Sequence, residues 1–429
     1  SITSANASLS ATINSSTSII PVTSLTNYTN YGRLLIDGEV IDYTSTSSDN
    51  NDCSSNAPCF LGAIRGVSGS DATSHSSGVS VVQNRCHIIS TGTVAGDNSV
   101  NGRRVLSEDV FQIEQGWLVG NTTNGYENIQ YWNGGSWSQY GPSSSIPDVH
   151  YNAIEMLNYA YGWVVGNKDS GQATLLEYDG SDWTRVLPAS GTPDASLQDV
   201  TCTSENDCWA VGNSTTFLHW DGSSWTNGAT GSLPNTAIQG VDCAASDDCW
   251  AVANSSLFIY WDGSSWTEQT VSVGNHNFND VACTASDSCW SVGNGSTFAF
   301  WDGSTWASIA PNPAVPNKDI ASISCINAND CWAAGAPQGG DSLIVHWDGV
   351  EWIRVTPGAS VPNSSLYTIN CANTNDCWTT GNSGVVAHWD GSSWSTDGVG
   401  SIPNGQTNGV AILNSLDSQP LIGNWQEDN

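Results

Sequence analysis

The pattern Trp-Asp-Gly-x-x-Trp returns along this chain at a nearly fixed interval. It reads Trp220-Asp221-Gly222-Ser223-Ser224-Trp225 and recurs at Trp261–Trp266, Trp301–Trp306, Trp347–Trp352 and Trp389–Trp394. Two looser copies come first: Trp132–Trp137, with Asn133 in the Asp place, and Tyr178–Trp183. The closing tryptophans fall at 137, 183, 225, 266, 306, 352 and 394, so the steps run from 40 to 46 residues. A unit of that length, built of short aromatic runs and Gly/Ser/Asn turns, cannot bury its own apolar face. It is the pattern of a four-stranded blade in a β-propeller.

One copy shows the expected blade. Gln198–Cys202 alternates as a first strand, Cys208–Val211 is a second, Thr216–Trp220 a third, and Trp225 opens a fourth. Asp-Gly between aromatic runs is a strong hairpin signal. Seven full copies leave a tail. Gly409–Leu413 aligns with a first strand and Gln419–Asn424 with a second. Cys86–Ser90 and Thr93–Ala95 could supply a third and fourth. The expectation is an all-β, eight-bladed propeller closed by strands from both chain ends; seven blades with a leftover hairpin is the alternative. Closure matters because open sheet edges invite aggregation.

Cysteine spacing repeats with the blades. Cys202/Cys208, Cys243/Cys249, Cys283/Cys289, Cys325/Cys331 and Cys371/Cys377 are each six apart, and Cys53/Cys59 shares that spacing. One member ends a first strand and the other begins the second, so a bridge would staple the hairpin. This predicts six disulfides and an oxidising compartment. Zinc would need four converging ligands, whereas each pair sits in a different repeat. Val110/Gly116 and Met156/Gly162 take the cysteine places in the first two copies. Cys86 is left over, as a buried thiol or an intersubunit bridge.

The tryptophans all lie at or after Trp117, which divides the chain into an N-terminal β-rich module, 1–85, and a propeller, 86–429. Nine Lys and Arg against 41 Asp and Glu give a net charge of −32, which argues against nucleic acid or an acidic membrane surface as partner. No run of 18 apolar residues is present, and a start at Ser1 fits a processed, exported product.

In the N-terminal region, the hairpin Ile36-Asp37-Gly38-Glu39-Val40-Ile41-Asp42-Tyr43, the Arg65-Gly66 turn and the ending around His75 and Val79–Val82 form a recognisable set. They resemble a small β-module of phage tail proteins and pilus-associated bacterial surface proteins. The resemblance covers about a fifth of the chain and implies assembly into an extracellular fibre. The remaining four-fifths resembles WD-like and sialidase-like propellers in architecture only, and a fold does not fix a function.

Chemistry is sparse. His219, His346 and His388 precede a repeat Trp, but the same place holds Tyr131, Glu177, Tyr260 and Phe300 elsewhere, which reads as packing. Arg103, Arg104, Arg185 and Arg354 are too scattered to grip a carboxylate together. Glu114, Glu155, Glu177 and Glu268 could hide a catalytic pair that sequence cannot place. No phosphate loop, nucleophile elbow or zinc helix occurs, so no catalytic residue, metal or cofactor is expected. The turn residues Asp179, Asp221, Asp262, Asp302, Asp348 and Asp390 gather on one face; turn-making is the plain reading and cation capture the sharper one.

Sequons stand at Asn6, Asn14, Asn27, Asn121, Asn213, Asn254, Asn294 and Asn363, and are candidate glycosylation sites. Asn121, Asn213, Asn254 and Asn294 share the turn between second and third strands.

These features lead to an expected extracellular, cell-surface structural or adhesive protein, a subunit of a filament or pilus. It would bind copies of itself or another subunit through the N-terminal module, and glycans or a host surface are possible further partners. A secreted multivalent lectin with sugar sites between Trp-lined blades is the alternative, and a secreted glycosidase a more distant one.

Overall fold

The computed structural model describes residues 2–25, 32–36, 39–43, 45–48, 53, 58–61, 63, 74–77, 79–94, 102–121, 129–132, 137–141, 146–229, 233–396 and 405–416. Among the described residues two compact units emerge, one of residues 2–115 and 414–416 and the other of 116–132 and 137–413.

The larger unit is a ring of seven antiparallel blades. Blade 3 shows the pattern: Leu197–Ser204, Asp207–Gly212, Thr216–Trp220 and Trp225–Asn227, paired in that order from the axis outward. Blades 2, 4, 5, 6 and 7 repeat it across 151–185, 238–269, 278–308, 320–355 and 366–395. Blade 1 is composite. Its second strand is the end of Gly102–Gly120, its third and fourth are Ile129–Trp132 and Trp137–Gln139, and its inner strand is the tail, Thr407–Leu416. Asn121 N donates to Gln406 O at 2.8 Å where the tail strand enters.

The eight-bladed expectation is therefore corrected to the seven-bladed one. Cys86–Ser90 is not a propeller strand. It belongs to Ser80–Val94, which pairs with 102–112 in the first unit, with Cys86 opposite Val110. Val110 thus never takes a cysteine place in a blade. The inner strand of blade 1 comes instead from the tail residues around Val410, and a ring so closed has no open inner edge at the seam. The Gln419–Asn424 strand falls outside the described residues.

All six disulfides are formed: Cys53–Cys59, Cys202–Cys208, Cys243–Cys249, Cys283–Cys289, Cys325–Cys331 and Cys371–Cys377. The five in the propeller join residues directly opposite each other on first and second strands, with Cα atoms 4.0 Å apart. Where the staple is missing, a glycine faces a large apolar side chain. A Cβ on Gly162 would lie 2.2 Å from Met156 Sδ, and one on Gly116 would lie 2.4 Å from Ile412 Cδ1. The side chain of Cys86 lies outside the described residues.

The core sits between blades. Seven clusters of buried side chains occupy the seven interfaces. At each, the second-strand Trp of one blade meets the closing Trp of the next nearly edge to face: Trp209 on Trp266 at 5.1 Å and 89°, Trp290 on Trp352 at 5.2 Å and 88°. The same Trp packs on the opening aromatic of that next motif, as Trp209 does on Trp261 at 4.7 Å. Tilted and T-shaped contacts suit the ring quadrupoles. The opening Trp keeps its polar edge satisfied, Trp220 Nε1 donating to Glu205 O at 3.0 Å.

The smaller unit has its own core of Leu9, Ile13, Ile20, Val22, Leu34, Ile36, Ile41, Tyr43, Phe60 and Val81. Ile2–Ser8 pairs with 80–86, and Gly32–Ile36 pairs with Glu39–Tyr43; Asp37 and Gly38 lie outside the described residues.

Candidate functional site: the central channel

The inner strands alternate, so every second side chain turns from the blade interface to the ring axis. Two positions recur there, three residues and one residue before the cysteine. The first holds Asp199, Gly240, Asp280, Ser322 and Thr368; the second holds Thr201, Asp242, Ala282, Ser324 and Asn370. In blade 2, Met156 stands in the cysteine place, so Glu155 takes the second position. All of these but Gly240 line an axial cavity of about 390 Å³.

The polar side chains tie each inner strand to the next. Val241 N donates to Asp199 Oδ2 at 2.8 Å, Cys283 N to Asp242 Oδ2 at 2.7 Å and Ile323 N to Asp280 Oδ2 at 2.9 Å. Ser322 and Ser324 accept from Ile369 N and Cys371 N at 3.3 and 3.1 Å. Asn370 Oδ1 accepts from Ile412 N at 3.0 Å, carrying the chain of bonds across the seam. Such bonds satisfy inner-strand amides that a neighbouring blade would otherwise leave bare.

Four carboxylates therefore stand on consecutive blades, 2 to 5. Burial, together with the charges of Asp242 and Asp199, pushes Glu155 up to about 8. Burial pushes Asp242 up to about 6, against hydrogen bonds from Cys283, Cys243 and Thr201. It raises Asp199 and Asp280 too, with neighbouring aspartates adding to the effect. No Lys, Arg or His is among the residues lining the cavity. Asp199, Asp242 and Asp280 were not singled out from sequence; their signal was an acidic residue on the axis-facing register of a first strand. Glu155 was singled out, and the fold gives it two acidic neighbours, Asp242 and Asp199.

The other sequence candidates have structural accounts. His219, His346 and His388 stack on Trp209, Trp332 and Trp378 at 4.5, 4.2 and 4.2 Å. Their Nε2 atoms lie 2.7, 2.8 and 3.0 Å from Asp207, Asp330 and Asp376 Oδ1. Tyr260 lies on Trp250 in the same place at 4.8 Å. Asp221, Asp262, Asp302 and Asp390 each cap their own turn, as when Asp221 Oδ1 accepts from Ser223 N, Ser224 N and Ser223 Oγ at 2.7–2.9 Å. Asp179 and Asp348 accept the same two turn amides. Arg185 pairs with Asp169 at 2.6 Å and Arg354 with Asp341 at 3.5 Å. Glu177 and Glu268 lie on outer strands of blades 2 and 4, away from Glu155's channel lining. The side chains of Arg103, Arg104 and Glu114 lie outside the described residues.

The sequons also separate. Asn213, Asn254 and Asn363 are exposed, while Asn121 and Asn294 are half-buried. Asn121 Nδ2 donates to Gln406 at 3.1 Å and Asn294 Oδ1 accepts from Asn279 at 2.9 Å. In blade 3 the turn residues Ser214 and Thr215 have φ of 58° and 54°. The Thr215 hydroxyl donates to carbonyls of the following link, at Pro234 and Thr236. Ser256 and Ser296 repeat this clamp. Asn14 lies in a local turn of the first unit, and its Oδ1 accepts from Ser16 N at 3.0 Å. Asn6 is on Ile2–Ser8, and Asn27 lies outside the described residues.

No family model matches the chain, and no curated protein does. Solved structures do. YCF48 bound to a D1 peptide superposes with a TM-score of 0.51 at 18% identity, covering 64% of this chain and 88% of that one. YCF48 from Cyanidioschyzon merolae gives 0.50 at 18% identity, with 64% and 91% covered. The GH74 enzyme of Niastella koreensis gives 0.51 at 13% identity; 67% of this chain is covered, but only 51% of that one. At these identities the likeness shows the β-propeller fold and nothing of the activity. The six disulfides suggest folding in an oxidising environment. Among the described residues no helix is long and apolar enough to cross a membrane.

Proposed function

We propose that this protein is an extracellular structural or adhesive subunit of a cell-surface filament, with the N-terminal unit making the assembly contacts and the stapled propeller displayed as its head. One observation carries the reading. Past Ile2↔Cys86, residues 87–94 pair with 102–109, an extended two-stranded ribbon among the described residues. Strand edges of this kind are templates for adding a strand from another chain. Disulfides that staple five consecutive blades suit a part that must endure outside the cell.

The blade interfaces speak against the lectin alternative in its original form. The closing tryptophans Trp225, Trp266, Trp306, Trp352 and Trp394 are at most 3% exposed and pack on other indoles, so these rings have no free face to stack on a sugar.

The test is electron microscopy of native material alongside light scattering of the purified chain. Fibres or concentration-dependent oligomers are expected. Ile89→Pro in the ribbon should abolish them while leaving the propeller's melting transition in place. Native material without fibres, together with a chain that stays monomeric, would discard the reading.

A further inference from the structure

Five sequons lie in the propeller unit, and the fold treats them unequally. Four stand at second-to-third turns, where the fold already holds the groups that glycosyl transfer needs: the Asn amide, which bonds to the sugar, and the hydroxyl two residues on, which the sequon requires. Asn121 Nδ2 donates to Gln406 Oε1 at 3.1 Å, and its Oδ1 accepts from Asn408 Nδ2 at 2.8 Å. After Asn213, Asn254 and Asn294 the hydroxyl is committed. Thr215 donates to Pro234 O, Ser256 to Gly274 O at 2.5 Å and Ser296 to Pro316 O at 2.5 Å.

Asn363 is the fifth, in the link between blades 6 and 7. Its side chain is exposed and makes no hydrogen bond with any described residue; neither does the Ser365 hydroxyl. The residues on either side are held from below. Ser342 Oγ donates to Pro362 O at 2.7 Å and accepts from Ser364 N at 3.1 Å, and Ser364 Oγ donates to Asn382 O at 3.1 Å. Asn363 is left at the tip of a fixed loop, the kind of place an enzyme reaches on a folded chain. The same clamp presents exposed Asn235 and Asn317, between Pro234 and Thr236 and between Pro316 and Lys318. The residues two positions on are Ala237 and Asp319, so neither is a sequon.

We propose that Asn363 is the N-glycosylation site of the propeller and is modified on the folded chain. Asn363 Nδ2 attacks the anomeric carbon of an oligosaccharide carried on a lipid pyrophosphate. The carbon–nitrogen bond forms as the carbon–oxygen bond to the pyrophosphate breaks. The lipid pyrophosphate leaves with that electron pair, and the amide proton passes to a base of the transferase. Assembly into filaments is not needed for this step, so a chain that forms no fibres can still carry the glycan.

Glycopeptide mass spectrometry of native material tests this first; a glycan is expected at Asn363 and none at the four turn sequons. The second arm is the purified, disulfide-intact chain, incubated with a lipid-linked oligosaccharide and an oligosaccharyltransferase that accepts any Asn-x-Ser/Thr. Asn363 should be filled, Asn363→Gln should leave the propeller bare, and Ala237→Thr should add a second glycan at Asn235. The reduced, unfolded chain should gain glycans at Asn213, Asn254 and Asn294 as well, because unfolding frees their hydroxyls. A melting temperature held near that of the parent shows that Ala237→Thr folds, and the parent chain decides the matter without it. A bare Asn363 in native material, or a glycan on any turn sequon of the intact chain, would overturn the proposal, as would a folded Ala237→Thr chain left bare at Asn235.

Discussion

Trp378 of the last blade meets Trp137 of the first at 5.6 Å and 82°, reproducing across the seam the edge-to-face contact of the other blade interfaces. Trp132 and Ile412 complete that cluster, so the tail strand and the first blade share one core. The ring is thus locked by the same packing that joins consecutive blades, with residues 241 positions apart in sequence supplying it.

The seam predicts a sharp response to its loss. Trp137 is 3% exposed, and Trp137→Ala should cost about 3–5 kcal/mol, as large-to-small core changes do. Truncation before Thr407 should be worse, since it removes an inner strand and bares the apolar faces of Val119 and Ile154. Urea unfolding should then lose its single cooperative transition, and a hydrophobic dye should bind the truncated chain.

Each propeller staple closes a loop of seven residues, so Cys202→Ala with Cys208→Ala should lower stability by about 2–2.5 kcal/mol. Full reduction should act on all five blades. Melting temperature with and without reductant measures both effects, and blade 2, which has no staple, should exchange its amide hydrogens sooner than blade 3.

Gly222 is required twice. Its φ is +87°, and a Cβ there would lie 2.3 Å from Asn206 Oδ1 in the adjoining cysteine turn. Gly191 has φ of +93° with nothing within 4 Å. Gly191→Ala should therefore cost about 1 kcal/mol, the left-handed penalty alone, and Gly222→Ala clearly more. Chemical denaturation of the two variants side by side decides it.

The channel carboxylates predict stability that falls as pH rises. Their folded values are raised, to about 8 for Glu155 and about 6 for Asp242, so the folded chain binds protons more tightly than the unfolded one. That contribution is complete below the unfolded value, near pH 4, and is lost as pH climbs through 6 to 8. Asp221, Asp262 and Asp302 behave oppositely: Ser hydroxyl and turn-amide bonds hold them low, so their contribution is lost below roughly pH 4. Melting temperature should peak in mildly acidic buffer, and Glu155→Gln should flatten the alkaline limb.

Much of the fold was legible because it repeats. Trp220 through Trp225 announce a hairpin whose Gly must adopt positive φ, and Cys202 and Cys208 fall six apart because they face each other across a short turn. The blade count was not legible. Cys86–Ser90 has the alternation of any strand, and nothing local distinguishes a ribbon from a blade. Val110 looked like a first-strand residue for the same reason; its partner proved to be Cys86. The histidine place read as packing, but the Asp partner waiting below His219, His346 and His388 required the fold.

What the sequence determined by itself is the blade: its strands, turns and staples are set by contacts within about 30 residues, and each leaves a local mark. Only the tertiary structure decided that seven blades close the ring, that the tail lends blade 1 its inner strand, and that four acids meet around one axis. These depend on side chains brought together from separate repeats, and the two-residue alternation of an inner strand does not say what its neighbour across the axis will be.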